Sequence, residues 1–178
     1  MDEQFKVRPE DFVGTIHVIP YTHADIAWVH TRAWHVDRYV RALDEVLDLM
    51  AEKPEYRYYI DTWTELMRDY VQLRPGRLDD VRKRIRTGQL AVCGGHYGNV
   101  RSTHVGNETF IRNIQRGMAK WKEFCPEVAF NVYADMDVTL GHTQMPQLLS
   151  LAGYMAYYAG RPIETLDEEG VPRNLLWK

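Results

Sequence analysis

Cysteine is scarce in this chain: two among 178 residues, Cys93 and Cys125, too far apart for a CxxC pair. That argues against a disulfide scaffold or a four-cysteine zinc site and favours two reduced core residues in a reducing compartment. Long apolar runs are missing as well. No stretch is long enough to span a bilayer, and the opening MDEQFKVRPEDF is polar and acidic, without the basic-then-apolar pattern of a secretory leader. A cytoplasmic location is the expectation. No excess of basic charge marks a nucleic-acid or anionic-membrane partner, because the formal net charge is -3. Internal repeats and low-complexity linkers are absent too. What remains, 45% hydrophobic and 26% charged residues, is the balance of one globular domain able to bury its own core.

The chain alternates between two periodicities. Thr15-Ile16-His17-Val18-Ile19-Pro20 is short, apolar and β-branched, which predicts a buried strand. Val36, Tyr39, Val40, Leu43, Val46, Leu47 and Met50 recur at helical spacing, and Pro54 stops that helix. Arg57-Tyr58-Tyr59-Ile60 predicts a second strand, and Thr62 with Glu65 has capping-box spacing for a second helix. Pro75-Gly76 is a turn, and Leu78, Val81 and Ile85 mark a third helix ending near Gly88. Strand three is Leu90-Ala91-Val92-Cys93. Asn107 is placed to cap a long helix carrying Phe110, Ile111, Ile114, Met118, Trp121 and Phe124. Strand four is expected from Val128 to Tyr133, a helix from Gln144 to Leu151 closed by Gly153, and strand five from Tyr154 to Tyr158. The polar stretch from Glu164 to Arg173 reads as a loop, and Asn174-Leu175-Leu176-Trp177-Lys178 as the start of a further element. Strands alternating with helices imply an α/β fold, mainly a parallel sheet with flanking helices.

Ligands in such folds bind beyond the carboxyl ends of the strands. Three polar clusters fall there: residues 21–28 with His23, Asp25 and Trp28, then Gly94-Gly95-His96-Tyr97, then Asp135-Met136-Asp137 followed by Leu140-Gly141-His142-Thr143. His23 and Asp25, two apart, point to the same side of an extended chain and make half of a zinc-type site. An isolated pair of this kind is more often a hydrogen-bonded loop histidine beside a helix cap, but a carboxylate from another strand changes that reading. Asp135 and Asp137 are also two apart and positioned to project together, one ligating while the other holds the loop; both roles stay open. Thr143 reads as an N-cap and His142 as a structural neighbour. Gly94-Gly95 reads as a turn or a close ligand approach. Trp28 reads as core or as a sugar-stacking platform, whereas Trp34, Trp63 and Trp121 read as packing residues.

The segment from His17 to Trp28, HVIPYTHADIAW, resembles the opening strand and HxDxxW motif of glycoside hydrolase family 38, the retaining α-mannosidases. Gly88-Gln89-Leu90 followed by Gly94-Gly95 is similar to the family's GQLE and GG segment, and Gly106-Asn107-Glu108-Thr109 with Ile111-Arg112 to the loop and helix after it. Asp137, Gly141, His142, Thr143, Pro146, Leu148, Leu149 and Gly153 resemble the nucleophile segment, with one extra residue between Asp and Gly. That extra residue leaves Asp135 as a rival to Asp137. His96 stands where the family often has Trp or Met.

The resemblance implies that residues 1–178 are the N-terminal part of a (β/α) barrel-like glycoside hydrolase catalytic domain. It implies Zn2+ held by His23, Asp25 and Asp137, Asp137 as catalytic nucleophile, and Trp28 against a mannoside substrate. It places the acid/base and the last histidine ligand beyond residue 178, so that the chain alone would have weak metal affinity and little activity. A metal-dependent polysaccharide deacetylase-like hydrolase and a non-catalytic carbohydrate-binding fragment are the alternatives.

Overall fold

The computed structural model describes residues 14–15, 17–26, 28–61, 64–98, 100–139, 143–161 and 167–172. Four strands and five α-helices follow in order: α1 (Arg32–Glu52), β1 (Tyr58–Asp61), α2 (Thr64–Leu73), α3 (Leu78–Arg86), β2 (Leu90–Cys93), α4 (Asn107–Phe124), β3 (Val132–Thr139), α5 (Met145–Leu151) and β4 (Ala156–Arg161). A 3₁₀ turn at Pro75–Arg77 joins α2 to α3.

α1 forms where the apolar stripe was expected. Thr31 Oγ1 accepts from the Trp34 amide at 3.3 Å and caps its start. Its inner face buries Tyr39, Val40, Leu43, Val46, Leu47 and Met50, joined by His35. Burial of Leu43, Leu47 and Met50 stabilises the fold by about 1.5–3 kcal/mol each. The end of α1 is held from a distance. The Gln89 amide, buried just before β2, donates to the carbonyls of Met50, Lys53 and Pro54 at 3.0, 3.2 and 3.3 Å. The Gln89 side chain therefore ties the end of α1 and the turn after it to the start of β2, alongside the Tyr56 amide on Lys53 O and Arg57 on Pro54 O.

Both strand pairs are parallel. β1 runs beside β2 in register Tyr58↔Leu90 to Asp61↔Cys93, and β3 beside β4 from Val132↔Ala156 to Asp135↔Ala159. The Gly94 amide, just past β2, donates to the Val132 carbonyl at 2.8 Å and links the two pairs. Upstream of β1, Tyr21 makes a parallel bridge with Tyr59, whose amide donates to Pro20 O at 3.3 Å. Neighbours in space thus follow chain order, with helices as crossovers, the arrangement of one side of a (β/α) barrel.

Several expectations shift. Strand one, residues 15–20, is not buried: Val18 is 81% exposed, and the bridge at Tyr21 is its single ladder contact among the described residues. Among the described residues the segment pairs only with β1, and a strand is buried when both of its faces are covered. Strand four begins at Val132 rather than Val128, because the ladder starts where Ala156 faces it; Val128 and Phe130 are buried without strand pairing. Strand five begins at Ala156 rather than Tyr154, whose side chain goes to the core. The N-caps are Gly106 and Gln144, not Asn107 and Thr143. Trp121 is fully buried as expected, but Trp34 is 39% exposed, stacked on His30 at 3.9 Å. Thr62, Trp63, Gly141, His142 and residues 174–178 lie outside the described residues. No helix among the described residues is long and apolar enough to cross a membrane.

Candidate metal centre

The residues that carry chemistry come from two places on the carboxyl edge. The first is the segment between the Tyr21 bridge and α1. Its start is pinned by Tyr21 on Tyr59, rings stacked at 4.7 Å, and by the Tyr58 hydroxyl on Thr22 Oγ1. A turn follows, closed by the Trp28 amide on the Asp25 carbonyl at 3.2 Å. His23 and Asp25 stand on it with His23 Nε2 3.1 Å from Asp25 Oδ1.

The second place is an irregularity in β3. From Asp135 to Thr139 the strand advances four residues while β4 advances two, from Ala159 to Arg161. Bulges re-aim side chains and break the alternation of faces. Opposite it, the Met136 carbonyl presses where a side chain on Gly160 would sit, so only glycine fits there. The consequence separates the two rival acids. Asp135 is 4% exposed and accepts from the Tyr157 hydroxyl at 3.3 Å. Asp137, its side chain 40% exposed, brings Oδ2 to 3.8 Å from His23 Nε2. The two acids thus differ in burial and in partners, and the register irregularity falls within Asp135–Thr139.

His23, Asp25 and Asp137 each offer one ligand atom, all within 4.8 Å of one another. Donors around a four-coordinate zinc with bonds near 2.0–2.2 Å stand about 3.3–3.6 Å apart. The observed 3.1 and 3.8 Å bracket that spacing. An imidazole and two carboxylates also form a donor set suited to a divalent ion. The residues therefore fit a divalent metal, for which they would supply three donors among the described residues.

Around this centre the structure adds a residue that motif reading missed. Arg161, at the end of β4, places Nη2 2.5 Å from Asp137 Oδ1. No spacing rule signals it; it arrives through the β3–β4 register. His35, buried one turn into α1, has its pKa lowered first by burial and then by His30 and Arg38, while Asp25 pulls it the other way. Trp28 is 78% exposed beside the centre, so it is not core. His96 is fully buried against Tyr133, ring centres 5.1 Å apart, and burial pushes its pKa down to about 4. It belongs to the interior behind the edge and not to the ligand group.

Comparison with known proteins assigns the chain to a family. A putative mannosylglycerate hydrolase of Halalkalibacterium halodurans is 30% identical over 152 residues, covering 84% of this chain and 16% of that protein. Alpha-mannosidase B of Dictyostelium discoideum is 27% identical over 93 residues, 48% of this chain and 8% of its own length. The crystal structure of an alpha-mannosidase from Enterococcus faecalis V583 superposes with a TM-score of 0.71 at 25% identity, over 79% of this chain and 16% of that one. The chain thus spans about a sixth of the length of the relatives it covers best. Residues 13–163 match the profile of the glycosyl hydrolases family 38 N-terminal domain, and the chain belongs to that family.

Proposed function

We propose that this chain carries the nucleophile side of a zinc-dependent glycosidase that hydrolyses terminal α-mannosides with retention. The observation that carries the reading is the meeting of His23, Asp25 and Asp137 from two separate segments of the carboxyl edge. A bound divalent ion there would supply Lewis acidity and a fixed charge for orienting sugar hydroxyls. His23, Asp25 and Asp137 Oδ2 would hold it. Asp137 would attack the anomeric carbon as the glycosidic bond breaks, and water would then cleave the glycosyl ester. Each carboxylate oxygen has two lone pairs, so Oδ1 can accept from Arg161 and still face the sugar carbon. Trp28 offers an apolar face beside the centre for the sugar ring. Asp135, buried and tied to Tyr157, is the supporting acid.

The test is turnover of an aryl α-mannoside, with and without chelator, by the full-length protein that supplies the acid/base and last ligand the resemblance places beyond residue 178, with the product anomer read by NMR. Chelator-sensitive release of the α-anomer is expected. Turnover indifferent to chelator, first release of the β-anomer, or deacetylation of an N-acetylated sugar in place of glycoside cleavage would overturn it.

A further inference from the structure

Two atoms of the segment bearing His23 and Asp25 must stay within reach of Asp137 on another strand. Its start is fixed on β1 through Tyr21, Thr22, Tyr58 and Tyr59. Its far end runs into α1 at Arg32, and this residue reaches out to α2. Arg32 Nη2 donates to Glu65 Oε1 at 3.0 Å, Nε donates to the same oxygen at 3.3 Å, and Nη2 also pairs with Asp69 Oδ2.

Asp69 is a buried carboxylate, and its second oxygen accepts from Arg68 Nη2 at 3.1 Å. Arg68 continues to the Tyr97 hydroxyl at 2.9 Å. The first turn of α2 is anchored to the same loop. Thr64 Oγ1 donates to His96 O at 2.6 Å, and the amides of Thr64 and Glu65 face the carbonyls of His96 and Tyr97 at 3.4 and 3.2 Å. That loop starts at Gly94, whose amide holds Val132 at the start of β3, the strand of Asp137. Arg32, at the start of the helix that follows the ligand segment, is thus joined through α2 and the Gly94–Tyr97 loop to the start of the strand of Asp137.

Resting on the proposed metal site, we infer that Arg32, acting through Glu65 and Asp69, is a positioning residue that sets the separation of the His23–Asp25 half from Asp137. An isolated surface ion pair would do no such thing. A planar guanidinium shared by two carboxylates, one of them buried, fixes geometry as well as charge. Residues that orient metal ligands change affinity by about 10–100-fold when removed.

The experiment measures Zn2+ dissociation constants by competition with a chromophoric chelator for the native protein, Arg32→Ala, Arg32→Lys and Arg32→Ala in a Glu65→Gln/Asp69→Asn background. Far-UV circular dichroism checks that each is folded at the assay temperature. Simple loss of stability leaves the constant of the folded protein unchanged, so it does not imitate the effect. Arg32→Ala should bind about 10–100-fold more weakly. Arg32→Lys should recover part of the loss, and Arg32→Ala should cost little more once the two acids are neutral. Native affinity in Arg32→Ala, or an undiminished loss in the Gln/Asn background, would overturn the inference. If Arg32→Ala does not fold, Arg32→Lys decides: weakened binding supports the inference and parity sinks it. Absence of Zn2+ binding by the native protein would instead remove the metal reading itself, and this inference with it.

Discussion

Arg161 and Asp137 meet across the bulge of β3, Nη2 to Oδ1 at 2.5 Å, while the other oxygen of Asp137 faces His23. One oxygen is thus ion-paired to Arg161, while the other lies 3.8 Å from His23 Nε2, beyond hydrogen-bond reach and turned toward the His23–Asp25 pair. Thr139 pairs with Arg161 in the ladder, and the strand pairing itself therefore delivers the guanidinium.

This arrangement separates two substitutions by their pattern of loss. In the proposed reading one group serves as ligand and nucleophile, so Asp137→Ala should abolish both Zn2+ binding and turnover of the full-length protein. Arg161→Ala should keep the metal, since no ligand is lost and a nearby positive charge is removed, yet lose on the order of 10²-fold in kcat/KM from misorientation of the carboxylate. Metal content by atomic emission, read beside kcat/KM on an aryl α-mannoside, distinguishes them. Equal metal loss in both variants would deny Arg161 the orienting role.

His96 predicts a pH dependence of stability. Its folded pKa is lowered from 6.5 to about 4 by burial. Below pH 6.5 the unfolded chain takes up a proton that the folded chain refuses, so stability falls as pH drops from 6.5 toward 4 and the effect saturates below that. The full penalty is about 3 kcal/mol. His96→Met, similar in volume and without a titrating group, should remove most of this acid loss. Urea midpoints at pH 7.5 and pH 4.5 give the comparison; an unchanged difference between the two pH values in His96→Met would refute it.

Much of this was legible in the sequence, for identifiable reasons. α1 and β2 follow from apolar period and stop signals, and both formed where expected. His23 and Asp25 were readable because two residues on one short segment carry their relationship in their spacing. Asp137 was readable as a candidate, but its separation from Asp135 was not, because the β3 bulge depends on Gly160 in a strand more than twenty positions away. Arg161 was invisible for the same reason. Strand one failed for a different cause: composition reports that residues 15–20 suit burial, whereas burial itself depends on what covers Val18.

Gln89 offers a test of its tie to the end of α1. Its buried amide faces three carbonyls, and its oxygen accepts from Arg84 at 2.8 Å. Gln89→Ala removes the donors and should cost about 1–3 kcal/mol. Gln89→Glu should cost more than Ala, because it sets a carboxylate oxygen against those same carbonyls with Arg84 as its counter-charge. Chemical denaturation at pH 7 ranks the three proteins. A glutamate variant as stable as the native protein would show that the carbonyls are satisfied by water.

The last prediction sets helix propensity against packing at Gly117. In the exposed interior of a helix, glycine to alanine stabilises by about 1 kcal/mol. Gly117 lies inside α4, but its position is not open. An added Cβ would overlap the Gly95 carbonyl oxygen, the His96 carbonyl carbon and the Tyr97 amide nitrogen, all backbone atoms. Backbone atoms cannot turn aside as a flexible side chain can. The loop they belong to is fastened to the same helix, since the Tyr97 amide donates to Asn113 O at 3.0 Å and Asn113 exchanges two bonds with Gly98 at 3.0 and 2.8 Å. Gly95 has φ +72 and its own packing against Phe130, which blocks retreat in that direction. Overpacking of this kind costs about 1–3 kcal/mol and outweighs the propensity gain. Gly117→Ala should therefore destabilise the protein, and the displaced loop should loosen the α2 anchor at His96 and Tyr97. Thermal unfolding gives the sign, and amide hydrogen exchange at Thr64 and Glu65 reports the anchor. A rise in melting temperature, with exchange at those two amides unchanged, would mean that α4 does not press on the double-glycine loop.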